Sequence, residues 1–142
     1  MDWTIEFDKA IEQYLPDLEV LQDEPMSRHT TFRIGGPAKR MAFPSSREQL
    51  VLLMSFAKDY GANPLVIGNG SNLLVPDEGL DRLVIDTSAN LNRVERGSGN
   101  TVLADAGAML ARTADLACKS GLTGLEFAHG IPGTVGGGVC MN

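Results

Sequence analysis

The chain has 142 residues, of which 43% are hydrophobic and 21% are charged, the balance of a globular protein with a buried core. Its net charge of −6 argues against a nucleic-acid-binding surface, because phosphate backbones require clustered lysine and arginine. The two cysteines lack metal-ligand spacing, the N-terminus lacks a signal-peptide pattern and no apolar run is long enough for a membrane helix, so we expect a cytoplasmic protein without a metal site.

The first part of the chain predicts one helix followed by two strands. Apolar spacing over residues 4–15 predicts a short amphipathic helix. Residues 16–30 contain two prolines and mixed charge, and we interpret them as an extended connection. Residues 31–34 and 39–43 favour strands, with a Gly-Gly-Pro turn at 35–37 between them.

A strand–helix–strand unit is predicted over residues 39–67. Residues 45–49 offer a capping box in either of two frames, and apolar residues at helical spacing follow over 50–57. Gly61 is a suitable C-terminal stop, and residues 65–67 form a short apolar run typical of a buried strand.

The following segment predicts strands that pair with one another. Residues 82–86, 91–96 and 101–105 are closely spaced strand candidates, which suggests antiparallel pairing. A helix is predicted over 108–120 with Gly121 as its cap. These elements together predict an α+β fold.

A first glycine-rich turn directly follows the predicted strand 65–67. Its two glycines permit positive φ, and consecutive N–H groups in such a turn can form a concave nest for an anion. The Ser71 hydroxyl and the Asn72 amide add two further polar groups. It is not the GxGxxG dinucleotide fingerprint, because Leu73 occupies the third glycine position, and a plain tight turn is the alternative reading. The turn comprises Gly68, Asn69, Gly70, Ser71, Asn72 and Leu73.

A second glycine motif spans residues 121–138, and its part at 130–138 is the second glycine-rich segment. Pro132-Gly133 predicts a turn, and Thr134 is a suitable cap for a helix that begins there. Each glycine at 136–138 costs a helix about 1 kcal/mol relative to alanine, so the pattern requires a compensating cause. Close approach of a flat ligand or of another backbone is the expected cause, and a flexible linker is the alternative.

Neither segment has lysine or arginine close by in sequence. A bound pyrophosphate would therefore rest on N–H dipoles and helix N-termini. Since the nicotinamide-dinucleotide fingerprint is missing, the pattern favours a flavin.

Three motifs in fixed order and spacing resemble the bacterial UDP-N-acetylenolpyruvoylglucosamine reductases over about residues 28–142. The first motif is Thr30–Ala38 and the second is Gly68–Val75. The third combines Gly124–Ala128, Gly130–Gly137 and Met141–Asn142. The resemblance implies a PCMH-type FAD-binding fold, also called the vanillyl-alcohol-oxidase type, with the flavin between two small α/β subdomains. It divides the chain into an N-terminal helix and connection (1–30), a first FAD-binding subdomain (31–75) and an incomplete second one (76–142).

The resemblance also implies which residues bind the cofactor. The turn Gly68–Leu73 would cradle the FAD pyrophosphate, and the second segment would line the flavin with backbone near the isoalloxazine. The lining residues implied are Gly130, Ile131, Pro132, Gly133, Thr134, Gly136 and Gly137.

The activity implied is NADPH-dependent reduction of UDP-N-acetylglucosamine enolpyruvate to UDP-N-acetylmuramate, a step of peptidoglycan synthesis. The family's catalytic Arg, Ser and Glu and its substrate-binding domain would lie beyond Asn142, so no catalytic residue is assigned, and Ser71, Glu126 and His129 are not promoted to that role. We expect the chain alone to be inactive. The missing part would cover apolar surface around Val135, Val139 and Met141, so we expect either dimerisation or partial disorder from about residue 121. A non-catalytic FAD-binding module and another flavin oxidoreductase of the same fold are the alternatives.

Overall fold

The computed structural model describes residues 2–141. The helices in this range are α1 (Trp3–Tyr14), α2 (Arg47–Asp59), α3 (Leu110–Lys119) and α4 (Val135–Met141). The strands are β1 (Glu19–Pro25), β2 (Pro37–Phe43), β3 (Leu65–Ile67), β4 (Leu80–Asp86), β5 (Val94–Arg96) and β6 (Val102–Ala104). Single 3₁₀ turns lie at Met26–Arg28 and Glu126–Ala128. No helix within residues 2–141 combines the length and the apolar character needed to cross a membrane.

The larger sheet has the strand order β1-β2-β4-β3. Strand β1 is antiparallel to β2, whereas β4 runs parallel to both β2 and β3. Strands β5 and β6 form a separate antiparallel hairpin. The mixture of parallel and antiparallel strands with helices gives the expected α+β class.

Two apolar clusters lie against this sheet. One includes Phe7 of α1 and Leu53 of α2, and it packs on Leu83 and Ile85 of β4. The other includes Val84 of β4, together with residues from β2 and the segments around it. Alternate β4 residues therefore belong to different clusters, as the two-residue period of a strand requires. Ile67 and Val75 are also buried in the second cluster, so the residues on both sides of the first glycine-rich turn are anchored in the core. The buried members of this cluster are Met26, Ala38, Met41, Phe43, Ile67, Val75 and Val84.

Local signals for helix ends are confirmed. The Ser46 hydroxyl accepts a hydrogen bond from the Gln49 N–H at 3.1 Å, so Ser46 is the cap of α2. Gly61 and Gly121, which follow α2 and α3, both have a φ of +71°. This left-handed conformation is the one that a glycine after a helix supplies without steric cost.

Two predictions for the N-terminal part are wrong. Residues 31–34 form a turn instead of a strand: the Arg33 N–H donates to the Thr30 carbonyl at 3.1 Å, and Arg33 has a φ of +55°. The expected connection over 16–30 contains strand β1, which pairs with β2. Charged residues and Pro25 hide this strand in the sequence, because it is an edge strand whose residues are exposed or half-buried.

The predicted antiparallel pairing of β4 with the two following strands is also wrong. Strand β4 lies inside the larger sheet, and Leu83–Asp86 are all buried. Burial on both faces is typical of a central strand in a parallel arrangement. The assignment of subdomains to 1–30, 31–75 and 76–142 stays a prediction, and the larger sheet joins strands from all three ranges.

Candidate cofactor site

The first glycine-rich turn leaves the carboxyl end of β3. Strands β2, β3 and β4 are parallel, so their carboxyl ends meet at one edge of the sheet, where open α/β sheets bind ligands. Among the hydrogen bonds within residues 2–141, none is donated by the backbone N–H groups of Gly68–Asn72. Five successive backbone donors therefore have no protein acceptor in the described part of the chain.

The segment His29–Thr31 packs against this turn at Gly70. The Thr31 N–H donates to the Gly70 carbonyl at 3.1 Å. A Cβ on Gly70 would collide with the His29 carbonyl oxygen and lie 3.0 Å from the Thr30 Cα. Gly70 also has a φ of +68°, so both its conformation and its surroundings require a residue without a side chain.

The second glycine-rich segment is hydrogen-bonded to the first residue of α3 and to the residues just before it. The Leu110 N–H donates to the Gly133 carbonyl at 2.9 Å, and the Val135 N–H donates to the Ala108 carbonyl at 2.8 Å. The Thr134 hydroxyl accepts from the Gly137 N–H at 3.2 Å, so the predicted cap of α4 is confirmed.

The glycines of α4 have different surroundings. The Gly136 N–H donates to the Ala106 carbonyl at 2.8 Å, and an added Cβ would lie 3.0 Å from the Ala106 Cβ. A Cβ on Gly138 would lie 3.1 Å from Leu110 Cδ1. Of the two expected causes, close approach of another backbone is therefore observed at Gly136. The flexible-linker alternative is wrong, since the segment forms a helix.

The two glycine-rich segments meet. A Cβ on Gly68 would collide with the Thr134 side chain, and a Cβ on Gly133 would lie 3.6 Å from Ser71 Oγ. Thr134 itself is only 1% exposed. By contrast, a Cβ on Gly130 would have no neighbour within 4 Å among residues 2–141, so this glycine borders open space.

Glu126 and His129 already have partners within the protein. The pKa of the Glu126 carboxyl is lowered by its own backbone N–H and by that of Gly124, which donates to Glu126 Oε2 at 2.8 Å. His129 Nε2 lies 3.2 Å from Asp115 Oδ1. Both contacts lie at the protein surface, and no catalytic role is assigned to either side chain.

Sequence reasoning missed the supporting role of His29, Thr31 and Ala106. His29 lies in the predicted connection 16–30 and Thr31 in the predicted strand 31–34, and neither prediction indicates a contact with Gly70. The glycines in both segments indicate that another part of the chain packs closely against them. The sequence does not show which part that is.

Comparison with known proteins identifies the family. Residues 38–142 match the family model described as "FAD binding domain". A UDP-N-acetylenolpyruvoylglucosamine reductase from Caldicellulosiruptor bescii is 47% identical over 133 residues, which cover 92% of this chain and 42% of that relative.

Solved structures agree with this result. The crystal structure of UDP-N-acetylenolpyruvylglucosamine reductase from Thermus caldophilus matches with a TM-score of 0.59 and 33% identity, covering 86% of this chain and 41% of that one. An alkyldihydroxyacetonephosphate synthase matches with a TM-score of 0.65 and 21% identity over 93% of this chain and 30% of its own, a likeness that shows the fold alone.

The chain spans about two fifths of the length of these reductases. The matches confirm the predicted resemblance and the PCMH-type FAD-binding fold. The chain therefore belongs to the FAD binding domain family, and its cofactor is FAD.

Proposed function

We propose that this chain is the FAD-binding part of an NADPH-dependent reductase that converts UDP-N-acetylglucosamine enolpyruvate to UDP-N-acetylmuramate. One observation carries the proposal. The two glycine-rich segments meet at the carboxyl edge of the sheet, and the N–H groups of Gly68–Asn72 in the first have no acceptor among residues 2–141. The names of the relatives supply the reaction.

The first turn fits the diphosphate of FAD. Backbone N–H groups bind phosphate oxygens through their dipoles, so an acidic chain can hold an anion without a buried lysine or arginine. Gly68, Asn69, Gly70, Ser71, Asn72 and Leu73 form this part of the proposed site. The Ser71 hydroxyl and the Asn72 amide are proposed to add hydrogen bonds.

The second segment fits a flat ring. Gly130 and Pro132 are exposed, Ile131 is 43% exposed, and Gly130 borders open space. An aromatic ring can approach the Gly130 backbone closely because glycine has no side chain. Gly133 and Thr134 are buried, so they support the surface from behind, while Gly137 is exposed on α4. The proposed lining residues are Gly130, Ile131, Pro132, Gly133, Thr134, Gly136 and Gly137.

In the full-length enzyme, we propose that this chain binds the cofactor and that other parts bind the substrate. Bound FAD supplies hydride transfer between NADPH and the substrate double bond. The residues of this chain bind the diphosphate and orient the ring, and we assign the proton donor and the UDP-sugar contacts to parts of the full-length enzyme outside these 142 residues. By itself the chain is expected to bind FAD weakly and not to turn over, because the cofactor would be incompletely enclosed. A cytoplasmic location stays a prediction.

Amide chemical shifts test this assignment. The ¹⁵N-labelled chain is titrated separately with FAD, ADP and riboflavin. ADP carries the diphosphate without the flavin, so it should shift the amides of Gly68–Asn72 and leave those of the exposed residues Gly130 and Ile131 largely unchanged. Riboflavin should do the reverse, and FAD should shift both. Binding of FAD that leaves the Gly68–Asn72 resonances unmoved would contradict the proposal.

A further inference from the structure

Thr134 lies between the two glycine-rich segments. Its side chain is buried, and its hydroxyl accepts a hydrogen bond from the Gly137 N–H at 3.2 Å. The backbone on either side is fixed by the bonds from Leu110 to Gly133 and from Val135 to Ala108, at 2.9 and 2.8 Å. Thr134 therefore has little freedom to move away from its neighbours.

Gly68 lies so close to the Thr134 side chain that no space remains for a Cβ. A Cβ on Gly68 would collide with the Thr134 hydroxyl oxygen and lie 2.8 Å from its Cγ2 and 3.1 Å from its Cβ. Gly68 is absent from the glycines with positive φ, unlike Gly70. Space is thus the reason for glycine at this position, since alanine can adopt its backbone conformation.

We propose that Thr134 is a positioning residue that sets the distance between the diphosphate turn and the flavin-lining segment through its contact with Gly68. Its hydroxyl serves the α4 cap inside the protein and does not bind the cofactor. This inference rests on the proposed function, because it gives that distance a purpose: FAD must span both segments at once. Crowding at Gly68 would push apart two backbones that are each anchored elsewhere.

The loss of FAD affinity caused by adding a methyl at Gly68 should be partly reversed by removing side-chain atoms from Thr134. FAD affinity is measured by fluorescence titration for the wild type, Gly68→Ala, Thr134→Ala and the double variant. Gly68→Ala is expected to bind FAD about tenfold more weakly, which is the size of effect that contacting residues commonly show. Thr134→Ala removes the hydroxyl and the methyl that the new Cβ would strike, so the double variant should bind FAD more tightly than Gly68→Ala alone.

Gly99→Ala is the control for crowding. Its φ of +58° makes alanine strained there, but the new Cβ meets nothing within 4 Å among residues 2–141, so FAD affinity should stay at the wild-type value. A double variant as weak as or weaker than Gly68→Ala would overturn the proposal.

A second measurement does not depend on cofactor binding. Thr134→Ser keeps the capping hydroxyl and removes only the methyl that faces Gly68. In the chain without FAD, this change should shift the amides of Gly68 and Asn69 while the Gly137 amide stays in place. Unchanged Gly68 and Asn69 amides would overturn the contact, whereas failure of the wild type to bind FAD would overturn the proposed function and leave this result standing.

Discussion

The carbonyl oxygen of His29 occupies the place that a Cβ on Gly70 would need, and the Thr31 N–H bonds to the Gly70 carbonyl at 3.1 Å. The turn that resembles an anion site is therefore also a packing contact with a segment about forty residues earlier. His29 is itself held by Glu24, whose Oε1 lies 2.9 Å from His29 Nε2. A glycine that looks like a ligand feature in the sequence is required first by the protein's own backbone.

Gly70→Ala should destabilise the protein and weaken FAD binding together. The left-handed φ and the collision with the His29 carbonyl together should lower the free energy of unfolding by about 2 kcal/mol or more. Urea denaturation measures this change. Gly99→Ala is the matched control, since its φ of +58° is similar but its Cβ meets nothing within 4 Å. Equal losses in the two variants would show that the His29 contact has no energetic weight.

The ion pair between Arg40 and Asp8 should be a strong tie between α1 and the sheet. Arg40 is 9% exposed, and its Nε and Nη2 donate to the two Asp8 carboxylate oxygens at 2.9 and 2.6 Å. Arg40→Met leaves Asp8 without its partner, so the free energy of unfolding should fall by about 2 kcal/mol. Asp8→Asn should cost a comparable amount, and the double variant should cost less than the sum of the two.

An exposed pair on the same helix provides the control. Lys9 and Glu6 are 2.8 Å apart with side chains 66% and 55% exposed, so Lys9→Gln should change stability by at most about 0.5 kcal/mol. If the double variant lost as much free energy of unfolding as the two single variants together, Arg40 and Asp8 would not be coupled and the prediction would be wrong.

Acid should remove the contribution of Asp2 to stability. The pKa of Asp2 is lowered from 3.8 to about 2, first by the Thr4 backbone N–H, then by the Thr4 hydroxyl and by Lys39. A carboxyl with a depressed pKa in the folded state stabilises the protein above its unfolded pKa and loses that contribution as pH falls toward its folded pKa. The melting-temperature difference between wild type and Asp2→Ala should therefore be constant above about pH 5 and shrink between about pH 4 and 2. A difference that persists unchanged at about pH 2 would show that the charge of Asp2 is not what stabilises α1.

Dimerisation through the apolar surface of α4 stays a prediction that sedimentation can check. Val139 is 77% exposed and Met141 is 68% exposed, while Val135 is half-buried. Val139→Asp should shift any dimer toward monomer, because a charge in an apolar contact is costly to desolvate. Leu103→Asp, at a side chain 56% exposed on β6, is the control and should leave the dimer intact. A wild-type chain that sediments as a monomer at all concentrations would contradict the prediction.

Features that depend on neighbouring residues were predictable from the sequence. Ser46 and Thr134 cap helices through N–H groups three residues away, and Gly61 and Gly121 end helices through their own φ. The three motifs were sufficient to identify the family, because order and spacing are properties of the chain itself.

Only the tertiary structure decided how the distant parts combine. Strand β4 has the same apolar pattern whether it pairs with β5 or lies between β2 and β3, and the turn at Thr30–Ile34 has a sequence that also suits a strand. The contacts of Gly68 with Thr134 and of Gly70 with His29 join residues 66 and 41 positions apart, by the difference of their numbers. Such contacts depend on how the sheet is ordered and the core is packed, and no local propensity encodes that order.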